Sequence, residues 1–440
     1  MNRNSIQLKN ILSLSALKAI GLGLNFILVP LLLSIFGKTD YGIWITVFSI
    51  VNWIFTFDLG LGLGLRNKLT ESLTLEDYNR SNSLISTTYI TIILVAIIIL
   101  LIGVTIIGIV NFKELLNYNK VDSLQTFLFV SLSFTLINFI LSVYKNLYLS
   151  VHKSFIPELV NTLFLFSFVL IVLFYKNYNI SQSMTVMMFW FGFLNLIISI
   201  AATIHFFKTS LNLKLSLKLF SRSLIKELLQ IGGGFFIIQF SILIIFTTDN
   251  VIISHLLGPE MVTDYSVIQK LFQIFIVIFG LVLTPSWSLY IHAISKNDIQ
   301  WIKSNIKSML KLFLILFVAG LILLFNIDFI VDFWVGPIIK PPKYLATVFF
   351  IFTMIFSFSN VFMYFINATG KLKLQTKLYI FGAIANIPLS IIFVKILGNS
   401  TGVIIATICS IIPLLIFMPL QAYKILKSLT LKTSSEINNI

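Results

Sequence analysis

Runs of twenty or more mostly apolar residues, separated by short loops, recur from one end of this chain to the other. A bilayer core is crossed by about 20 apolar residues in α-helix, and within it every backbone N–H and C=O must be satisfied inside the protein. Twelve such runs are read, over residues 11–36, 41–65, 83–110, 122–149, 154–175, 181–207, 231–256, 264–290, 304–326, 344–368, 374–397 and 401–424. With 58% of 440 residues hydrophobic and 11% charged, a soluble globule is excluded. The predicted fold is an all-α polytopic membrane protein of twelve transmembrane helices in two pseudo-symmetric six-helix lobes around a central cavity. The lobes cover 1–210 and 231–440, with a basic cytoplasmic linker at 211–230.

The formal charge of +15 is compatible with nucleic-acid binding only if the cations cluster, and they do not. They lie in the short loops. With the N-terminus inside, inner segments carry 22 Lys and Arg against seven outside, and Lys18 and Lys270 fall within runs. The positive-inside rule then places both termini in the cytoplasm and explains the charge without nucleic acid. The lone cysteine, Cys409, allows no internal disulfide. The first apolar run is too long for a signal peptide and lacks a small-residue cleavage site, so it is expected to stay in the mature chain.

Two turns suggest an internal repeat. After the first span comes Gly37-Lys38-Thr39-Asp40-Tyr41, and after the seventh comes Gly258 followed by Thr263-Asp264-Tyr265. Both halves hold an even number of spans, which implies parallel repeats about an axis along the membrane normal. In the linker, Lys214, Lys218, Arg222 and Lys226 recur every fourth residue, as on an amphipathic helix facing anionic inner-leaflet lipids. The alternating leucines Leu211 to Leu219 instead have a strand period, so the first half of the linker stays open between the two, beside the plainer reading of a linker held inside by its charge.

Polar residues inside the apolar runs are the candidate site. A carboxylate in hydrocarbon costs about 2.5 kcal/mol or more on insertion scales, so Asp58 and Asp249 are expected to face a cavity or a partner charge, or to take up a coupling ion. Asp58 lies roughly 12 Å along a helix from Arg66, with Lys145 either its partner or a positive-inside flank. Gly60 and Gly64 would share one face of that helix and admit another backbone. Lys18 and Lys270 are either cavity cations, suited to a phosphate as point charges, or lysines snorkelling to an interface. Gly232-Gly233-Gly234 opens the seventh run as a candidate hinge; no Gly-Lys-Ser/Thr follows it, so it is not a phosphate loop. Pro285 and Pro388 read as kinks. Glu158 reads as a capping residue, and His152, His205, His255 and His292 lack metal-ligand spacing.

Gly37 through Tyr41-Gly42-Ile43-Trp44, with Phe57-Asp58-Leu59-Gly60-Leu61, resembles the Wzx-type polysaccharide flippases, relatives of the lipid II flippases and MATE exporters in the MOP superfamily. Weaker echoes are Phe333-Trp334-Val335-Gly336 and Asn367-Ala368-Thr369-Gly370. The resemblance implies alternating access in a bacterial cytoplasmic (inner) membrane. It implies an undecaprenyl-pyrophosphate-linked oligosaccharide as cargo, and polysaccharide polymerase machinery as a partner. Lys18 and Lys270 fall on the first and eighth helices, where related flippases hold pyrophosphate-binding cations. Lysine there, where lipid II flippases have arginine, argues against lipid II. No cofactor is expected; coupling would draw on a proton or sodium gradient or on the membrane potential. The alternative is a MATE-like cation-coupled exporter, which would want acids to dominate the cavity. A glycosyltransferase or polymerase would need a sizeable outer loop. The longest, 327–343, offers only Asp328 and Asp332, which read as helix-end residues, so no enzyme is expected.

Overall fold

The structure, a computed structural model, describes residues 3–118, 121–151, 153–178, 183–210 and 212–437. Among them the regular elements are all helical, and they are α1 (Arg3–Val51), α2 (Leu61–Thr74), α3 (Tyr78–Ile109), α4 (Phe112–Leu115), α5 (Val121–Leu141), α6 (Val143–Ser150), α7 (Phe155–Asn177), α8 (Met184–Thr209), α9 (Arg222–Thr247), α10 (Asp249–Leu257), α11 (Pro259–Ser295), α12 (Ile299–Phe325), α13 (Ile327–Val335), α14 (Leu345–Ala368), α15 (Lys373–Leu397) and α16 (Thr401–Ile437). Among the described residues eleven continuous stretches are long and apolar enough to cross a membrane. The first of them, Ala16–Thr74, has 59 residues, well over the ~20 that one crossing takes. Gly37 interrupts it at φ 72°, a conformation open mainly to glycine. Counted as two passes, that stretch brings the number to the expected twelve. The chain is a multi-pass membrane protein.

The contacts divide the chain into two units, residues 1–240 with 258–260, and residues 241–257 with 261–440. The linker and the first part of α9 thus group with the first unit.

The first unit is packed around aromatic rings. Phe191 of α8 meets Phe48 of α1 and Phe164 and Phe168 of α7 edge to face, at 5.1, 4.8 and 5.1 Å. Trp44 stacks on Phe127 of α5 at 5.8 Å. Pairs of this kind add about 0.5–1.5 kcal/mol each, a welcome increment where lipid tails leave no hydrophobic drive between helices. Tyr41, Ile43 and Trp44, which carry much of the family resemblance, are therefore buried packing residues.

The linker departs from the helical reading. Residues 212–216 are irregular, Leu217–Leu219 form a single 3-10 turn, and only Arg222 and Lys226 lie on a helix, α9. The main chain is bonded to α3 instead. Lys214 N donates to Asn82 Oδ1 at 2.7 Å, Ser216 N to Ser86 Oγ at 3.1 Å and Ser221 N to Thr87 Oγ1 at 3.0 Å. The polar start of α3 thus satisfies a backbone that forms neither the helix nor the strand its sequence suggested.

The repeat has a structural counterpart. In the first unit Asp40, at the Thr-Asp-Tyr turn, accepts a hydrogen bond from Tyr118 at 2.9 Å. In the second, Asp264 accepts from the backbone of Lys340 at 3.1 Å. Both partners lie in the loop between the third and fourth spans of their half. Gly258, like Gly37, has positive φ, 96°.

Gly64 permits a close approach. A Cβ there would lie 2.3 Å from the backbone oxygen of Leu228 on α9. Overpacking of this kind costs about 1–3 kcal/mol. Gly64→Ala is therefore expected to lower the unfolding temperature of the detergent-solubilised protein by at least ~2 °C. Gly23→Ala, where nothing stands within 4 Å, is the control. Equal melting of the two variants would refute the contact.

Candidate transport site

The run over 41–65 is not one helix. After Val51 the backbone tightens into a 3-10 segment, Asn52–Asp58, then Leu59 (φ 54°) and Gly60 (φ 81°) turn left-handed and α2 starts at Leu61. A helix that starts inside an apolar run leaves N–H donors unpaired, at a cost that lipid cannot relieve. Asp58 takes up two of them. Its Oδ1 accepts from Gly60 N at 2.8 Å and its Oδ2 from Gly62 N at 3.2 Å. The positive end of the α2 dipole favours a carboxylate there.

Of the two readings of Lys145, the partner gains no support: among the described residues no ion pair joins it to Asp58, whose partner is the main chain. Gly60 is the N-cap of α2, in the left-handed turn, and its carbonyl accepts from Gly64 N at 3.0 Å. Gly62 was overlooked. A Cβ on it would lie 2.5 Å from Asn146 Nδ2 and 2.9 Å from Asp58 Oδ2, so a side chain there would displace one or both of those polar groups. The signal was present in the alternation Gly60, Gly62, Gly64.

In the first unit, Glu227 of α9 pairs with Arg80 at 2.6 Å and Lys68 at 3.1 Å, while Lys68 also meets Glu71 at 3.0 Å. Exposed pairs contribute about 0–1 kcal/mol each, so this cluster orients α9 against α2 and α3 more than it stabilises them. Lys18, on α1, is half-buried beside α7, where Thr162 donates to the backbone oxygen of Leu17 at 3.3 Å. Among the described residues its ammonium has neither a hydrogen-bond nor an ion-pair partner. His205 sits 2.7 Å from the Tyr148 hydroxyl, a packing contact in the first unit. His152 lies outside the described residues.

In the second unit, Asp249 is the first residue of α10, just after the break that ends α9 at Thr247. It is 2% exposed. The fully buried Tyr265 donates to its Oδ2 at 2.6 Å, and Oδ1 has no hydrogen-bond partner among the described residues. Nearby, Asn386 of α15 donates to Thr407 of α16 at 3.2 Å and accepts from Thr248 at 3.5 Å. Asp249 thus heads a buried polar cluster linking α10, α11, α15 and α16. Gly232, Gly233 and Gly234 do not open a helix: α9 begins at Arg222, so they lie within it. Pro285 and Pro388 lie inside α11 and α15.

Lys270 is half-buried on α11. Its neighbours Gln269 and Gln273, rather than Lys270 itself, line a cavity of about 220 Å³ walled by phenylalanines of α9, α11 and α14. Those phenylalanines carried no signal in the sequence, because Phe is common throughout the chain.

The fold is that of MATE-type transporters of the MOP superfamily. An inward-facing multidrug-resistance MATE transporter superposes with a TM-score of 0.76 at 14% identity, covering 92% of this chain and 94% of that one. An outward-facing structure gives 0.67 at 15% identity over 96% of each chain. Residues 7–288 match the family described as polysaccharide biosynthesis protein, and the chain belongs to that family. A relative from Yersinia pseudotuberculosis, provisionally named an O-antigen export protein, is 23% identical over 377 residues, 81% of this chain and 82% of its own length. Family and fold together make this a multi-pass membrane protein of the polysaccharide biosynthesis family with a MATE-type fold.

The Asp249–Tyr265 contact has a direct test. Tyr265→Phe leaves a buried carboxylate with neither oxygen bonded, at a cost of about 1–3 kcal/mol, whereas apolar replacement of both partners is nearly neutral. The single variant should therefore melt lower than the double variant Asp249→Leu/Tyr265→Phe. A single variant that melts like the parent protein rules the hydrogen bond out.

Proposed function

We propose that this transporter moves undecaprenyl-pyrophosphate-linked oligosaccharide units from the cytoplasmic to the outer leaflet of a bacterial inner membrane, by alternating access. Membership of a polysaccharide biosynthesis family supports the glycan, and the name of the Yersinia relative points the same way. The observation that carries the pyrophosphate is Lys18, a half-buried cation in an apolar span with no ion-pair partner among the described residues. Holding an unpaired ammonium at that depth is costly unless the working cycle supplies an anion or water. Lys270 is the second candidate for the same role. Both would bind phosphate as point charges.

Asp249 is the candidate for coupling. A buried carboxylate with one oxygen lacking a hydrogen-bond partner among the described residues can take up a proton or sodium ion, so an ion gradient or the membrane potential would drive the cycle in place of a cofactor. Asp58 would serve the cycle by keeping the break before α2 intact. The bias of 22 inner to seven outer cations supports cytoplasmic termini, inner-leaflet anionic lipids as neighbours and access to the polymerase machinery from the membrane.

The MATE-like fold sustains a second reading, ion-coupled export of small organic cations. Gene deletion separates the two. The flippase reading expects a lipid-linked glycan to accumulate on the inner leaflet; unchanged glycolipid with increased drug sensitivity would favour the exporter. Lys18→Ala at normal protein level should abolish surface polysaccharide, and Lys18→Arg should retain much of it. Normal export by Lys18→Ala sinks the pyrophosphate role. A C-terminal reporter should be active only in the cytoplasm.

A further inference from the structure

The cavity of about 220 Å³ in the second unit has chemistry that points to an occupant. None of its lining side chains is charged, so nothing in it pairs with a phosphate. Its walls are fixed rings. Phe246 of α9 meets Phe352 and Phe356 of α14 edge to face at 5.6 and 5.4 Å, and Phe352 stacks on Phe356 at 5.9 Å. Phe272 and Phe349 lie nearly parallel, 6.3 Å apart.

Three polar groups in this apolar box have unspent hydrogen bonds. Thr353 is fully buried, and its hydroxyl has no partner among the described residues. Thr46, Thr88 and Thr407 each turn the hydroxyl back onto the carbonyl four residues earlier. Gln269 and Gln273, one turn apart on α11, both line the cavity, and their amides have no hydrogen-bond partner among the described residues. A purely apolar occupant such as an isoprenoid tail would use the rings and leave buried Thr353 and half-buried Gln269 without a partner. The volume is below the ~300–1,000 Å³ of pockets for drug-sized ligands, so it holds a single small ring.

We infer that this cavity seats one neutral monosaccharide of the cargo. The apolar C–H face of the pyranose packs on the phenylalanines, while its hydroxyls or an amide substituent meet Gln269, Gln273 and Thr353. The assignment rests on the flippase reading for the identity of the cargo, but it uses no residue of the proposed pyrophosphate site. It makes the second unit a reader of sugar chemistry, apart from the charge that holds the carrier lipid.

The test uses the full-length protein in lipid nanodiscs and two probes: the glycolipid that accumulates in the deletion strain, and undecaprenyl pyrophosphate without sugar. The parent protein should bind the glycolipid about tenfold more tightly than the bare carrier. Gln269→Leu/Thr353→Val should bring that ratio close to one while leaving affinity for the bare carrier unchanged. These replacements remove polar groups from an apolar box with little change in volume, and Gln273→Leu, at an exposed position, gives a second variant that does not threaten folding. A ratio that survives all three substitutions overturns the inference, as does a parent protein that does not distinguish the probes. Equal weakening of both probes also overturns it, since it would make the cavity a site for the lipid tail or a packing feature. If the deletion strain accumulates no glycolipid, the flippase reading fails first and this inference with it.

Discussion

Inside a bilayer a helix cannot break for free, because lipid offers nothing to the N–H and C=O groups that a break exposes. Much of the structure follows from how that debt is met. Where the second span loses its helix at Leu59 and Gly60, the carboxylate of Asp58 collects two of the stranded donors. The same account covers its cost in hydrocarbon, since a carboxylate with two N–H donors at a helix N-terminus is no longer a bare charge. In the second unit α9 gives way to α10 at Thr248, and Asp249 stands there, tied to Tyr265. The acids that looked out of place in an apolar run mark the places where the backbone changes course.

A second constraint is closeness. Helices in lipid gain from contact more than from burial, so small residues decide where they can meet. Gly64 lets the backbone of Leu228 approach, Gly62 leaves room for Asn146 beside Asp58, and Gly192 accepts the ring of Phe134 while its carbonyl takes a hydrogen bond from Asn138 at 3.3 Å. In the second unit Gly382 brings α15 against the backbone of Ser410. Large aromatic residues then fill the spaces between these close approaches.

The spans were legible because hydropathy over twenty residues is a long, redundant signal, and the count of twelve survives the merging of the first two into one continuous stretch. The halving could be read from two Thr-Asp-Tyr turns. The break after Asp58 could not, since Leu59 at positive φ has no propensity that announces it and the apolar run continues on both sides. The start of α9 at Arg222 was missed for the opposite reason. Its first turns are amphipathic and held by Lys68 and Arg80, which lie far away in sequence and carry no pattern that links them to Glu227. The aromatic cavity was invisible in a chain with 43 phenylalanines; only the fold tells which of them share a wall.

The two Thr-Asp-Tyr aspartates have a mechanical consequence. Asp40 holds Tyr118 and Asp264 holds the main chain at Lys340, and each clasp closes within its own unit. The duplicated turn therefore does more than record a repeat: in each unit it ties the loop after the third span back to the turn before the second, 78 and 76 residues away.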